Sequence, residues 1–353
     1  MFIVIFIISL SLFLLSCAKK NKAQEGNSKK EDGKNYIIFV NADSPDENKM
    51  YSIEVESKDK KSIYQKNVLN AAGIDGKIAV LSEEKGKTGL YTINADGSGK
   101  VAVLKDFPIK NSYVSWSPDK KKITFAARKT GDKSDEIYYV ETDENKGPVK
   151  VTDDGLTDAD PKFSNSGETI AYDKKSGGNY DIFLYEISPL RNVNLSKNAA
   201  NDISPVLKTD GTRMLFLSDE AEAGKYNLYS MNMDGSGRYP LTSGLNIDRH
   251  SVDVSPDGSM AAFVSVDDRK NKSLHVIDMS KKTVMVSNGS YISAWSDDSK
   301  KLYFASSDDK EMKRKIIEYD IQEGVMKDIV KVQYKPGEEA EGIKFIYFTD
   351  KLK

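Results

Sequence analysis

The stretch SWSPDKKKITFAA, residues 115–127, recurs four more times along this chain in recognisable form. The later copies are KFSNSGETIAYDK (162–174), VLKTDGTRMLFLS (206–218), DVSPDGSMAAFVS (253–265) and AWSDDSKKLYFAS (294–306). The second residues of successive copies are 41 to 47 positions apart. Self-similarity with a period of this size is the signature of a repeat architecture, in which each copy is one supersecondary unit.

Each copy opens a unit of four predicted strands. In the first unit YVSWS and KITFAA flank the turn residues Pro118 and Asp119, and EIYYVETD and PVKVT follow as alternating, β-branched and aromatic runs. The same order recurs in the later units and, in a degenerate form, over AAGIDGKIAVLS, GLYTINAD and VAVLK. Four antiparallel strands per unit, repeated about seven times, predict an all-β fold of the β-propeller type.

The two ends of the repeat region are incomplete in complementary ways. At the N-terminal end YIIFVN, KMYSIEV and SIYQK supply a second, third and fourth strand, whereas EGIKFIYFTD near the C-terminus is a strand with nothing after it. We expect the C-terminal strand to complete the first blade, because this closure removes an exposed sheet edge. The prediction is seven four-stranded antiparallel blades over residues 36–353. Six blades with an irregular N-terminal hairpin are the alternative.

The N-terminal segment predicts export. Residues 1–17, MFIVIFIISLSLFLLSC, form an apolar run that ends at the only cysteine, Cys17, and is shorter than a membrane span requires. Its end, LLSC, resembles a bacterial lipobox, so we expect a lipoprotein signal peptide with Cys17 as the site of lipid attachment. The alternative is an uncleaved anchor with the lysines of residues 19–22 inside the cell. Residues 18–35 are polar and predict a disordered tether.

Composition and motifs argue against several functional classes. The net charge is −2 and charges of both signs are interspersed, so no basic stripe indicates nucleic-acid binding. His250 and His275 are the only histidines, which argues against a catalytic zinc site. The chain also contains no Gly-x-Ser-x-Gly nucleophile elbow and no glycine-rich phosphate loop. We therefore expect a protein that is not an enzyme, with no cofactor, metal or catalytic residues.

Two recurring residue types in the repeat have structural interpretations. Trp116 and Trp295 share a repeat position that is otherwise Phe, Leu or Val, which predicts packing between blades. The aspartates of the first-to-second-strand turns are predicted to accept hydrogen bonds from the turn backbone. These are Asp119, Asp210, Asp257 and Asp298.

One acidic segment is a candidate cation site. DDGLTDAD, residues 153–160, offers carboxylate oxygens of the kind that bind calcium. It lacks the alternate-residue spacing and closing glutamate of an EF-hand loop, so we interpret it as a solvated loop between blades.

The phrases SWSPDK, VSPDG and WSDDSKK, each followed by a strand such as ITFAA or LYFAS, and then NLYSMNMDGSG, carry a family resemblance. They resemble the TolB-type propeller repeat, a relative of the WD repeat, over roughly residues 70–331. That repeat is shared by bacterial envelope proteins and by the propellers of prolyl-oligopeptidase-like peptidases. The resemblance implies the propeller fold and a place in the bacterial envelope.

The connections between strands are predicted to make the two faces of the disc unequal. First-to-second-strand turns are tight, whereas the second-to-third connections RKTGDKSD, KKSGGNYD, DEAEAGKYN, VDDRKNKS and SSDDKEMKRK are longer and polar. Binding residues favour loops held on a rigid frame, so this longer-loop face is the candidate binding surface. The candidate partner-contact residues are Asp158, Asp160, Asp202, Arg249 and His250.

The sequence thus predicts an exported, lipid-anchored propeller of the bacterial cell envelope, on its periplasmic or surface face. Its expected role is a non-catalytic scaffold, monomeric itself, that binds an envelope protein or a peptide. The alternative is a propeller that binds a small ligand or glycan, or an enzyme with carboxylates around the central channel. Since the first strands YVSWS, VDVS and YISAW offer few polar groups to that channel, we expect the scaffold.

Overall fold

The computed structural model describes residues 34–44, 47–109, 112–143, 147–280, 282–308, 313–333 and 343–351. The predicted signal peptide, Cys17 and most of the predicted tether lie outside these residues. All regular elements within them are β-strands. No helix long and apolar enough to cross a membrane occurs in this described part of the chain.

The described strands form seven antiparallel sheets of four strands each, which are the blades of a propeller. Blade 1 consists of β1 (Tyr36–Ser44), β2 (Glu47–Glu54), β3 (Lys60–Tyr64) and β28 (Ile343–Thr349). Blade 2 consists of β4 (Asn67–Ile74), β5 (Lys77–Glu84), β6 (Lys87–Asn94) and β7 (Val101–Lys105). Blade 3 consists of β8 (Ser115–Trp116), β9 (Lys122–Ala127), β10 (Glu136–Glu141) and β11 (Val149–Lys150), and blade 4 consists of β12 (Asp158–Phe163), β13 (Thr169–Ser176), β14 (Asn179–Glu186) and β15 (Arg191–Asn194).

The remaining three blades follow the same strand order as blades 2 to 4. Blade 5 consists of β16 (Asp202–Leu207), β17 (Arg213–Ser218), β18 (Asn227–Asn232) and β19 (Tyr239–Pro240); blade 6 of β20 (Asp253–Val254), β21 (Met260–Val266), β22 (Lys272–Asp278) and β23 (Thr283–Asn288); and blade 7 of β24 (Ser290–Trp295), β25 (Lys301–Asp308), β26 (Lys313–Asp320) and β27 (Met326–Gln333). The prediction of seven blades is confirmed.

Blade 1 is closed by the two ends of the chain. Its strand order is β28-β1-β2-β3, so the C-terminal strand takes the innermost position, which the first strand of the unit holds in the other blades. Antiparallel pairing runs from Tyr36 opposite Thr349 to Asn41 opposite Ile343. The predicted closure by the C-terminal strand is therefore confirmed.

Apolar side chains fill the spaces between blades. Seven buried clusters are present among the described residues, and each combines side chains from two adjacent blades. The indole Nε1 of Trp116 donates to the carbonyl of Ala72 in blade 2 at 3.0 Å, and that of Trp295 donates to the carbonyl of Asp253 in blade 6 at 3.3 Å. The predicted role of the tryptophans in packing between blades is confirmed.

The tight turns between first and second strands use their aspartates as predicted. Oδ1 of each accepts a hydrogen bond from a backbone N–H two residues further along, and the distances are 2.9 to 3.1 Å. In three of these turns the same oxygen also accepts a hydrogen bond from the serine two residues earlier, as Ser117 Oγ does at 2.6 Å from Asp119.

The structure corrects the predicted lengths of the second-to-third connections. Residues 128–135 of blade 3 and 219–226 of blade 5 are long, as predicted, but β13 and β14 continue through KKSGGNYD to a tight hairpin. Gly177 and Gly178 form its two-residue turn with φ values of 66° and 111°, which such a turn requires. Strand pairing up to Ser176 opposite Asn179 shortens this connection.

The candidate residues lie at the face from which these connections emerge. Asp158 opposes Lys174 near the end of β13, and Asp202 opposes Ser218, the last residue of β17. The innermost strands therefore begin where the second strands end. This face carries the segments that lead into the central channel.

Candidate functional site

A polar cluster joins blades 4, 5 and 6 where their innermost strands begin. The Arg249 guanidinium lies between two carboxylates, with Nη2 3.0 Å from Asp160 Oδ2 and 2.8 Å from Asp173 Oδ2. Ser204 Oγ donates to Asp160 Oδ2 at 2.9 Å, and His250 Nδ1 lies 3.2 Å from the same oxygen. We call these five residues the Asp160 cluster.

Strand pairing explains why the cluster forms. Asp160 and Ser204 lie at the same bulge in β12 and β16, each followed by proline, and both have φ of 52°. His250 has φ of 65°. Left-handed backbone is uncommon for residues other than glycine, and it persists where the surroundings enforce it, as at binding and catalytic sites. Because Asp160 and Ser204 hold the same position in the repeat, Asp158 and Asp202, each two residues earlier, also hold equivalent positions.

The cluster keeps one carboxylate charged and disfavours the charge on the other. Burial disfavours the ionised form of Asp160, but His250 and Arg249 outweigh this effect and hold its pKa below the ordinary value. Burial and the neighbouring charge of Asp160 raise the pKa of Asp173. Two close carboxylates that share one guanidinium have their pKa values driven apart in this way.

A cavity of about 570 Å³ opens beside the cluster at the centre of the face. We call it the channel mouth, and its polar lining includes Asn70, Asp248, Arg249, Ser251, Asp253 and Ser293. The rings of Tyr113 and His250 stack with their centroids 4.0 Å apart and form part of its wall. Behind this pair, a smaller cavity of about 50 Å³ reaches Asp160, Lys162 and Ser204.

The linings of these two cavities also contain residues of opposite charge. Lys162 and Asp253 hold equivalent positions on the innermost strands of blades 4 and 6. Burial raises the pKa of Asp253 to about 7, against the opposing charge of Lys162. Burial likewise lowers the pKa of Lys162. The expectation that the first strands offer few polar groups to the channel was therefore wrong, because their charged residues converge on it.

The five predicted contact residues separate into three locations. Asp160, Arg249 and His250 come together in the Asp160 cluster. Asp202 is fully buried elsewhere, where Arg238 Nη1 donates to its Oδ2 at 2.7 Å and Arg238 Nη2 to its Oδ1 at 3.1 Å. Asp158 is also fully buried and lies beside Lys174, away from the channel mouth.

Sequence reasoning missed Asp173, although a signal for it was present. In four other copies of the repeat the equivalent positions are Ala126, Leu217, Val264 and Ala305, all apolar. A charged residue at a repeat position that is otherwise apolar indicates a functional site rather than a role in packing the blades. The same comparison between repeat copies identifies Lys162 and Asp253, because the other copies have serine, valine or alanine at this position.

The comparison with protein families gives a match over half of the chain. The family described as the TolB beta propeller domain matches residues 150–333. No curated protein matches the sequence significantly.

Among solved structures, TolB from Acinetobacter baumannii is 16% identical with a TM-score of 0.58, over 89% of this chain and 82% of that one. A prolyl endopeptidase is 14% identical with a TM-score of 0.66, and the match spans 86% of this chain but only 49% of the peptidase. An oligogalacturonate lyase in complex with manganese is 13% identical with a TM-score of 0.60, over 77% and 82% of the two chains. These likenesses show the fold alone. On the family match, this chain belongs to the TolB β-propeller family.

Proposed function

We propose that this protein is a non-catalytic binding propeller that takes a peptide segment of an envelope protein at its channel mouth. The observation that carries the proposal is the cavity of about 570 Å³ at the centre of the longer-loop face. This volume lies within the range of about 300–1,000 Å³ that is typical of ligand pockets. The propeller frame holds the surrounding side chains in place, as binding loops require.

The lining of the cavity suits a peptide better than a purely apolar ligand. Arg249 and Asp253 provide opposite charges, Asn70 and Ser251 provide neutral hydrogen-bonding groups, and Tyr113 provides an aromatic surface. A peptide main chain needs both donors and acceptors, and its side chains need apolar contact. The match to the TolB family supports a binding role, since the family includes TolB-like envelope proteins.

A photo-crosslinking experiment tests the location of binding. The full chain would carry p-benzoylphenylalanine in place of Tyr113, which is 36% exposed, and a matched protein would carry it in place of Val284 on the outermost strand of blade 6. We expect an adduct with one envelope protein from position 113 and none with that protein from position 284. His250→Ala, which alters the wall of the cavity, should reduce the yield at least several-fold. Equal adducts from both positions would contradict the proposal.

A second candidate function is favoured by the carboxylates in the channel. Asp160 lines the smaller cavity and Asp253 lines the channel mouth, while Asp173 shares the Arg249 guanidinium with Asp160. Two of the similar structures are enzymes. Such a site would bind or cleave a small charged ligand. Calorimetric titration of the full chain with charged oligosaccharides and with short peptides separates the two functions, because only the second predicts saturable binding of the sugars.

We infer that the protein is exported and anchored by lipid on Cys17. The lipobox-like LLSC and the apolar run before it support this, although neither belongs to the described part of the structure. Metabolic labelling with an alkyne fatty acid should label the wild-type chain, and Cys17→Ser should abolish the label and release the protein from membranes. A labelled Cys17→Ser chain, or an unlabelled wild type, would exclude this mode of attachment.

A further inference from the structure

Three carboxylates meet between blades 3 and 4, outside the channel mouth. Glu136 begins β10, Asp158 begins β12, and Asp154 lies in the loop that joins the two blades. Each offers one oxygen, and these oxygens all lie within 4.8 Å of one another. Glu136 and Asp158 are 1% and 0% exposed, whereas the side chain of Asp154 is 45% exposed and opens the cluster to solvent.

Three buried oxygens of this cluster lack hydrogen bonds. Both carboxylate oxygens of Asp158 and Oε2 of Glu136 accept no hydrogen bond of good geometry from the described residues. Oε1 of Glu136 does accept, from the backbone N–H of Gly155 at 3.2 Å and from Ser134 Oγ at 3.4 Å. These contacts orient the carboxylate and leave its other oxygen to the cluster. Burying an uncompensated carboxylate costs several kcal/mol, so such groups are usually paired or bind a metal.

The equivalent position in blade 5 shows what a completed arrangement looks like. Asp202 corresponds to Asp158, and its oxygens accept from both terminal nitrogens of Arg238 and from Asn198 Nδ2 at 2.6 Å. At Asp158 the corresponding contact is weaker, since Lys174 Nζ lies 3.7 Å from Oδ1 and donates instead to Asp154. The Lys174 ammonium is therefore shared between Asp154 and Asp158. Burial raises the pKa of Asp158 to about 7, although the Thr152 hydroxyl and Lys174 oppose this shift.

We propose that Glu136, Asp154 and Asp158 bind a divalent cation between blades 3 and 4, with Ca²⁺ preferred to Mg²⁺. Ligand sets of oxygen alone suit hard cations rather than transition metals. Calcium takes oxygens at about 2.3–2.6 Å, so two ligands across the ion lie up to about 5 Å apart, which accommodates this cluster. Magnesium demands near-octahedral geometry and keeps several waters, usually with only one or two protein carboxylates, so a site of three carboxylates suits it less well. Water would complete the shell on the open side, at Asp154.

Calorimetric titration of the full chain, stripped with chelator, tests the site with CaCl₂, MgCl₂ and NaCl of matched ionic strength. We expect saturable Ca²⁺ binding with a Kd on the order of 10⁻⁴ M, as in weak extracellular calcium modules, and at least tenfold weaker Mg²⁺ binding. Asp154→Asn should weaken Ca²⁺ binding at least tenfold, and circular dichroism checks that this variant, changed at a partly exposed residue, is folded. The matched control is Asp153→Asn, one residue away and 81% exposed, which should leave the affinity unchanged.

Lys174 supplies a second, independent variant. Its ammonium competes with the ion for the same oxygens, so Lys174→Met should bind Ca²⁺ at least several-fold more tightly than the wild type. If the three acidic residues serve only as ion-pair partners of Lys174, Lys174→Met should instead lose stability and gain no affinity for Ca²⁺. The proposal is overturned if neither the wild type nor Lys174→Met binds Ca²⁺ saturably below about 10 mM. It is also overturned if Asp153→Asn weakens binding as much as Asp154→Asn.

Discussion

Arg249 binds two buried carboxyl groups that the repeat itself does not require. Its guanidinium contacts Asp160 and Asp173, which are 6% and 0% exposed. Removing one partner of a buried ion pair leaves an uncompensated charge, which costs far more than losing a pair at the surface. The cluster therefore makes the channel wall depend on a single side chain from the loop before blade 6.

We predict that Arg249→Gln lowers the free energy of unfolding by about 3–5 kcal/mol, as expected for a broken buried pair. Urea denaturation followed by circular dichroism measures this change. The control is Arg191→Gln, whose side chain is 63% exposed where it pairs with Glu186, and it should cost less than about 1 kcal/mol. Adding Asp160→Asn to Arg249→Gln should restore part of the loss, because Asp160 is the carboxylate that stays charged, and a double variant no more stable than the single one would contradict this explanation.

The raised pKa of Asp253 predicts a pH dependence of stability. Its pKa of about 7 in the folded protein exceeds the ordinary value of 3.8, so between these pH values the folded state holds a proton that the unfolded chain has released. The free energy of unfolding should therefore fall as pH rises through this window, by up to about 1.4 kcal/mol per pH unit for this group. Asp253→Asn should make the measured slope shallower between pH 4 and 7. Asp234→Asn, at an exposed turn, should leave the slope in this window unchanged.

At the scale of single elements, one repeat position controls the contact between neighbouring blades. It holds Trp116 in blade 3, Trp295 in blade 7 and Phe348 in blade 1, whose ring stacks on Tyr303 of blade 7 with centroids 5.1 Å apart. In blade 2 the same position is Gly73. The ring of Tyr347 from blade 1 fills the space there, and its hydroxyl accepts from the N–H of Gly76 at 3.1 Å. At this junction the aromatic ring is therefore supplied by Tyr347 of blade 1 rather than by the residue at the repeat position in blade 2.

Gly73→Ala should destabilise the junction of blades 1 and 2. A β-carbon at this position would lie 2.3 Å from Cγ of Tyr347, at the inner end of the ring, so the strand or the ring must shift. We expect a loss of about 1–3 kcal/mol, typical of overpacking, in urea denaturation. Gly89→Ala is the control, since it would meet only the outer end of Tyr91 and should cost little. In the background of Tyr347→Ala the effect of Gly73→Ala should shrink, and full additivity would contradict a direct clash.

The elements were predictable wherever the repeat copies agree. The turn aspartates and the tryptophans each recur at a fixed position, so their local chemistry could be inferred from one copy and transferred to the others. The hairpin at Gly177 and Gly178 was mistaken for a long loop because strand length depends on pairing partners, which the sequence of one strand does not contain. The Asp160 cluster was predicted only in part, because it joins residues 76 and 89 positions apart through the geometry of the ring.

At the scale of the whole molecule, stability depends on closure of the ring. Each described apolar cluster lies between two blades, so the loss of one blade exposes the faces of two others. Ile343, Ile346 and Phe348 of β28 belong to the cluster shared by blades 7 and 1. The strand therefore contributes both the innermost hydrogen bonds of blade 1 and the packing that joins the last blade to the first.

Deleting residues 343–353 should abolish the cooperative unfolding transition and cause aggregation, because it exposes the edge of β1 and two apolar faces.

A circular permutant provides the decisive comparison with this deletion. Pairing of Phe348 with Ile37 matches that of Val254 with Ala261, so the turn Ser255–Ser259 of blade 6 has the right length to join Phe348 to Tyr36. The permutant begins with residues 343–348, continues through Ser-Pro-Asp-Gly-Ser into Tyr36, and ends at Gln333. It keeps every contact of β28 up to Phe348. We expect this permutant to unfold cooperatively in urea within about 2 kcal/mol of the wild type, as tolerated permutations at chain ends do. Failure of the permutant to fold, while it retains the strand that the deletion lacks, would show that closure requires the C-terminal segment in its native connection rather than the strand itself.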